Sequence, residues 1–289
     1  MSGPIAIFDS GVGGLTVFNE VAAALPGESL IYLGDSARVP YGTKSAETVS
    51  RYALEAASFL MGRGIKALVV ACNTATAAAL PLLRERLPIP VIGVIEPGAR
   101  AAVAMTRGRI GVIATEGTVR SGAYGRAIRA LQSDVEVIEQ ACPLFVPLAE
   151  EGWANTRVAQ EVAEIYLRPL LDGGIDTLVL GCTHYPLLKT TIRKVAGDAV
   201  ALVDSAETTA DALADILDRD GLLDGGDGPG QHHFLVTDAA ERFRKVAEDF
   251  LDRRIEHLEM VDIDGHLSRP SAEGVKPGDA RSNVDRRRA

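Results

Sequence analysis

Cysteine is scarce. Three in 289 residues, an odd number, make no disulfide framework and fit reduced thiols in the cytoplasm. Long apolar runs are also missing, since none approaches the roughly 18 residues that a membrane span requires. Met1-Ser2-Gly3-Pro4 carries neither a basic n-region nor a cleavage site, so no signal peptide is read. A soluble, cytoplasmic chain without membrane association is expected. Basic residues are in deficit, 30 Lys and Arg against 39 Asp and Glu, a net charge of −9. That balance opposes nonspecific binding to nucleic acid or anionic membrane, and a small anionic ligand must be held by local donors. No lysine stands in a Schiff-base motif. What is present, 47% apolar and 24% charged residues, suffices for a proper core, and the length suggests two domains.

Short β-branched runs at residues 4–8, 29–33, 67–71, 91–95, 110–113, 135–138, 177–180, 199–203 and 234–236 alternate with helical patterns such as 45–61, 75–86, 158–171, 207–217 and 239–251. The runs at 67 and 177 are apolar on both faces, as in a parallel sheet covered on both sides. This alternation predicts an α/β, doubly wound fold. Residues 224–230, Asp-Gly-Gly-Asp-Gly-Pro-Gly, read as a loop. From about residue 266 periodicity is lost, and the end, with Arg286-Arg287-Arg288, reads as a disordered tail.

Two strand–loop junctions echo each other: Leu68-Val69-Val70-Ala71-Cys72-Asn73-Thr74 and Leu178-Val179-Leu180-Gly181-Cys182-Thr183-His184, 110 residues apart. They suggest two similar halves, each presenting a cysteine at a strand's carboxyl end, where open α/β sheets bind ligands. A following helix would point free N–H groups at each sulfur and lower its pKa from about 8.5. Two such thiols across one cavity can serve as base and acid on opposite faces of a carbon, which is what inverting a stereocentre requires. The competing reading of Cys72 and Cys182 is as buried hydrophobes. Another is a zinc site of Cys72, Cys182 and His184, although no C-x-x-C is present. Cys142, before Pro143, has no echo and is read as structural.

Asp9-Ser10-Gly11-Val12-Gly13-Gly14 looks like a phosphate loop, but G-x-G-x-x-G fails at Thr16, and a strand-end carboxylate would repel phosphate. A tight turn aiming Asp9 and Ser10 into a cleft fits better, or a simple cap by Asp9 on the next helix. Tyr41 can close over a ligand while the Gly42 N–H donates to it, or the pair forms an ordinary turn. Asn73, Thr74 and Thr183 offer amides and hydroxyls beside the cysteines, and His184 is a proton partner for Cys182. Thr115 and Thr118 read as N-caps, and Glu150 and Glu151 as exposed helix carboxylates. His232, His233, His257 and His266 receive no role.

Taken together, Asp9–Thr16, Pro40-Tyr41-Gly42, Ala71-Cys72-Asn73-Thr74-Ala75 and Leu180-Gly181-Cys182-Thr183-His184-Tyr185-Pro186 strongly resemble the glutamate racemase family of the aspartate/glutamate racemase superfamily, over roughly residues 4–255. The resemblance implies an isomerase that interconverts L- and D-glutamate without cofactor or metal and supplies D-glutamate for peptidoglycan, hence for the cell wall and cell shape. It implies two similar, mainly parallel-sheet domains with the active site between them: residues 1–97 with 205–265, and residues 98–204. By the same resemblance Cys72 looks like the thiolate acting on the D-isomer's α-proton and Cys182 like the one acting on the L-isomer's. Asp9 is similar to the carboxylate assisting the first thiol, and Glu150 and His184 to the groups assisting the second, with Glu150 favoured over Glu151 by Phe145-Val-Pro-Leu-Ala-Glu150. Ser10, Tyr41, Gly42, Asn73, Thr74, Thr118 and Thr183 match substrate-holding positions, and a homodimer is expected. Alternatives remain: an aspartate or hydantoin racemase, or a non-catalytic amino-acid-binding module.

Overall fold

The structure, a computed structural model, describes residues 3–224, 228–251, 254, 255 and 257–264. Within them the strands are β1 (Ile5–Asp9), β2 (Leu30–Gly34), β3 (Ala67–Val70), β4 (Val91–Gly93), β5 (Arg109–Ala114), β6 (Glu136–Ala141), β7 (Thr177–Gly181), β8 (Ala201–Asp204), β9 (His232–Val236) and β10 (Leu258–Met260). They form two sheets, ordered β10-β9-β2-β1-β3-β4 and β6-β5-β7-β8, and every ladder is parallel. The order β2-β1-β3-β4 in the first sheet reappears as β6-β5-β7-β8 in the second, so the paired junctions seen in the sequence are one topological position occurring twice. The expected α/β fold of two similar, mainly parallel-sheet halves is what the chain adopts.

Parallel ladders need covered faces, and the side chains supply the cover. In β1, Ile5 and Ile7 enter one core while Ala6 and Phe8 enter the core on the opposite face. The second sheet is likewise packed on both faces: Leu178 and Leu180 of β7 join one core, Val179 the other. Each such buried Leu, Ile or Val contributes about 1.5–3 kcal/mol relative to exposure. The alternation also fixes the cysteines. Cys72 continues the face of Leu68 and Val70, and Cys182 the face of Leu178 and Leu180, so the two thiols leave equivalent faces of equivalent strands.

Two readings of the strands need correction. The run at 91–95 ends as a strand at Gly93, the last residue paired with β3, because Val94 is already helical and Ile95 opens the helix Ile95–Met105. That helix packs on β7, β8 and the helix Ala123–Leu131 and carries the chain into the second half. β10 was not anticipated, since three residues pairing only with β9 at a sheet edge leave no periodicity to read. The tail from 266, and residues 225–227 of the expected loop, lie outside the described residues. No helix among the described residues is long and apolar enough to cross a membrane.

One ion pair inside the first half is buried. Lys66 Nζ lies 2.5 Å from Glu28, with side chains 1% and 4% exposed, and it also donates to the Leu222 carbonyl at 2.7 Å. Glu28 in turn accepts from the Asp224 N–H at 2.7 Å, so the pair ties the first strands to the return of the chain. Removing one partner strands a buried charge. Lys66→Met is expected to cost roughly 3–5 kcal/mol, read as an earlier urea midpoint. Adding Glu28→Leu should recover most of the loss, and a double variant as unstable as the single one would contradict this.

Candidate active site

Both cysteines stand at the carboxyl ends of the central strands, where each sheet reverses its winding order. Cys72 caps the helix Asn73–Arg86, and its Sγ accepts the Ala75 N–H at 3.5 Å. Its thiol donates to Ser10 Oγ at 3.5 Å. The second junction differs: after Cys182 the chain enters a 3-10 turn, Tyr185–Leu188, and only then the helix Lys189–Ala196. The expected helix N-terminus behind each sulfur is therefore present at Cys72 alone.

Even there the expected lowering of the thiol pKa is overturned. Burial, and then the neighbouring Asp9 carboxylate, push Cys72 up to about 12, outweighing the Ala75 N–H and the Ser10 hydroxyl. One N–H bond and one hydroxyl contact cannot compensate a buried sulfur for the lost water and an adjacent negative charge. At neutral pH Cys72 therefore carries its proton.

Asp9 is fully buried and accepts the Gly11 N–H at 2.9 Å, so its cap of the turn and its place beside Cys72 coexist. Burial raises its pKa, against the opposing pull of His184 and of the N–H groups of Gly11 and Gly14. The Thr183 hydroxyl donates to Asp9 at 3.4 Å, joining the turn of the first half to the Cys182 junction of the second. On the other side, Cys182 Sγ lies 3.8 Å from His184 Nδ1, and His184 Nε2 lies 3.0 Å from Glu150. Burial disfavours charge on His184, but the contacts with Cys182 and Glu150 more than offset it and raise the imidazole to about 10. Glu150, held below its ordinary range chiefly by that hydrogen bond, is the carboxylate that reaches the imidazole. Glu151 instead faces Arg242 at 3.4 Å on the surface.

Between the halves, Thr74 Oγ1 shares hydrogen bonds with Thr115 at 3.0 Å and Thr118 at 3.2 Å. Asn73 Oδ1 accepts from Tyr124 at 2.8 Å, while its Nδ2 is buried without a protein partner. Gly42 meets Thr115 across the cleft, and a cavity of about 310 Å³ opens there between Val39, Pro40, Gly42, Thr115, Val146 and Glu150. The Tyr41 side chain does not close over this space. It is buried, with its hydroxyl bonded to Asp35, so residues 41 and 42 can offer the cleft only backbone. Thr115 is an N-cap, accepting from the Thr118 N–H, whereas Thr118 lies inside the short helix that follows.

Three participants went unread in the sequence. Asp35, at the end of β2 as Asp9 is of β1, gathers Tyr41, Arg38 at 2.7 Å and Thr237 at 3.0 Å behind the 39–42 loop. Its strand-end position was the available signal. Tyr124 carried none. Gly13 is required by contact, since a Cβ there would stand 2.4 Å from both His184 Nδ1 and Thr183 Oγ1. Among the described residues no group of three or more His, Cys, Asp or Glu is arranged to hold a metal ion, so Cys72, Cys182 and His184 form no such sphere. Cys142 is buried and donates weakly to the Gln140 carbonyl.

Comparison with known proteins places this geometry. The family model for Asp/Glu/Hydantoin racemase matches residues 12–213. The chain is 58% identical over 261 residues to a glutamate racemase of Geobacter metallireducens, covering 90% of this chain and 97% of the relative. The chain belongs to the glutamate racemase family. Crystal structures of two other glutamate racemases superpose at a TM-score of 0.86. One, isoform RacE1 of Bacillus anthracis, is 45% identical, covering 90% of this chain and 97% of that one. The other, from Francisella tularensis in complex with D-glutamate, is 40% identical, covering 91% and 98%. Within the glutamate racemase family, then, this chain sets an aspartate beside one sulfur and a glutamate–histidine pair beside the other.

Two outcomes follow from the packing around His184. Gly13→Ala should displace the imidazole and lower turnover at least 10-fold, the order expected of a misplaced proton partner, while leaving the far-ultraviolet spectrum unchanged. Unaltered turnover would refute the contact. Because His184 is raised from 6.5 to about 10, its charged interactions stabilise the fold fully below about pH 6.5. The contribution fades as pH rises through about 10. The melting-temperature gap between the parent and Glu150→Gln should therefore shrink from pH 6.5 to pH 10, and a gap that widened would contradict the assignment.

Proposed function

We propose that the chain interconverts L- and D-glutamate by proton transfer at Cα between Cys72 and Cys182, with no cofactor and no metal. The observation that carries the reading is that each buried sulfur has its own carboxylate route: Asp9 beside Cys72, and Glu150 through His184 beside Cys182. From the L-isomer, the Cys182 proton already rests on His184, whose raised affinity holds it there, and the sulfur takes the Cα proton. The C–H electron pair remains on Cα and spreads into the α-carboxylate. Cys72, protonated at rest, delivers its proton to the opposite face and is left as thiolate. The reverse direction starts when the Cys72 proton passes to Asp9, whose raised affinity for a proton suits it to receive one, and His184 returns its proton to Cys182 for delivery to the opposite face. The assignment of isomers to sulfurs rests on the family resemblance.

An α-proton is far less acidic than a thiol, so the barrier must fall through a dry, preorganised site. The donors proposed to hold the substrate are the Ser10, Thr74, Thr118 and Thr183 hydroxyls, the Asn73 amide and the Gly42 N–H, with Asp9 and His184 at its margins. They supply the local attraction that a chain of net charge −9 lacks globally. Closure of one half on the other would exclude water. We divide the chain into residues 1–97 with 205–265, and 98–204, the two passages lying beside each other, since a Cβ on Gly98 would stand 3.8 Å from Ser205 Cβ. Supply of D-glutamate for peptidoglycan, a cytoplasmic location and a homodimer belong to the same proposal.

The test is polarimetry of L-glutamate with purified protein, without added cofactor and after exhaustive chelation, in deuterated solvent. Rotation should decay to zero and deuterium should appear at Cα. Cys72→Ala and Cys182→Ala should each lower kcat by at least 1000-fold with the fold retained. Near-normal turnover in either variant would end the two-thiol scheme, and binding of glutamate without loss of rotation would favour a binding module.

A further inference from the structure

Tyr124 touches both cysteine junctions. Its hydroxyl donates to Asn73 Oδ1, the residue after Cys72, at 2.8 Å. Its ring lies against the residue before Cys182, where a Cβ on Gly181 would come within 2.9 Å of Tyr124 Cε2. The corresponding residue in the first junction is Ala71, so the two junctions differ where the ring sits. Tyr124 belongs to the second half, in the helix Ala123–Leu131, and is wholly buried, whereas Asn73 opens a helix of the first half.

The hydrogen bond has a chemical consequence. An asparagine amide presents a carbonyl on one side and an NH₂ on the other, and its partner decides which way it faces. With Oδ1 held by the Tyr124 hydroxyl, Nδ2 is the group left over. It is buried, the residue being 3% exposed, and has no hydrogen-bond partner. An unpaired buried donor is costly, and beside Cys72 the natural acceptor for it is an oxygen of a bound carboxylate. If the amide turned over, a carbonyl would face that carboxylate instead, and attraction would become repulsion.

We propose that Tyr124 is a positioning residue: its hydroxyl fixes the Asn73 amide with the NH₂ toward the substrate, and its ring sets the spacing of the two cysteine junctions. The first part rests on the reading that Asn73 holds the substrate, and the experiment separates the two. Racemisation is measured in both directions for Tyr124→Phe, Asn73→Ala and the double variant, together with melting temperatures. Tyr124→Phe keeps the ring and removes the hydroxyl. KM for both isomers should rise on the order of 10-fold, as loss of a buried hydrogen bond implies, while kcat changes less than about 3-fold. Such a split marks lost binding shared by ground and transition states.

Asn73→Ala should raise KM to a similar extent, and in the double variant Tyr124→Phe should add less than about 2-fold, because the amide it orients is gone. A normal KM in Asn73→Ala would remove the reading of Asn73 and the proposal with it. A raised KM in Asn73→Ala with a normal KM in Tyr124→Phe would overturn the proposal alone. Multiplying effects in the double variant would do the same. A Tyr124→Phe variant that fails to fold assigns the hydroxyl to stability and also overturns it.

Discussion

Burial of charge next to sulfur governs this site. A thiol in water ionises readily enough near pH 8.5, but Cys72 has lost its water and gained Asp9 as a neighbour. Such a sulfur cannot rest as an anion; it can become one only when its proton has somewhere to go at the moment of need. In the proposed scheme Asp9, whose own proton affinity is raised by the same burial, is that place. On the other side the solution is different. An imidazole stands between Cys182 and Glu150, and the carboxylate holds the imidazole rather than the sulfur. In the proposed scheme the two halves thus reach one chemical end, a thiol with a proton relay, through unlike side chains.

The fold makes this arrangement economical. One strand order, used twice, places a small residue and then a cysteine at the end of a central strand in each sheet, on the same face. What breaks the symmetry lies outside the strands: a helix directly behind Cys72, a 3-10 turn behind Cys182, and His184 only in the second junction. Gly13 shows how closely the halves approach, because the turn of one leaves no room for a methyl group against the histidine of the other. The Thr183–Asp9 hydrogen bond and the Thr74–Thr115–Thr118 hydroxyls cross the same divide.

Much of this could be read from residue order. The paired junctions, the all-apolar strands at 67 and 177, and the acidic balance follow from local pattern, and the architecture obeyed them. Pattern failed where tertiary environment decides. No spacing rule announces that Cys72 will be fully desolvated, so the helix behind it suggested a lowered pKa and burial produced a raised one. Tyr41 looked like a lid because it sits on a polar loop, yet Asp35, just past the end of β2, draws its hydroxyl inward. Tyr124 gave no sign, and Thr115 could be read only as an N-cap, because their partners Asn73 and Thr74 lie in the other half of the chain.

All of it depends on two sulfurs addressing one carbon from opposite sides. The direct measurement is a crystal structure of the unmodified protein with D-glutamate bound. The account predicts Cα flanked by Cys72 Sγ and Cys182 Sγ on opposite faces, each at about 3.5 Å, the separation of atoms poised to react. Both sulfurs on one face of the ligand, or either turned away from it, would contradict it.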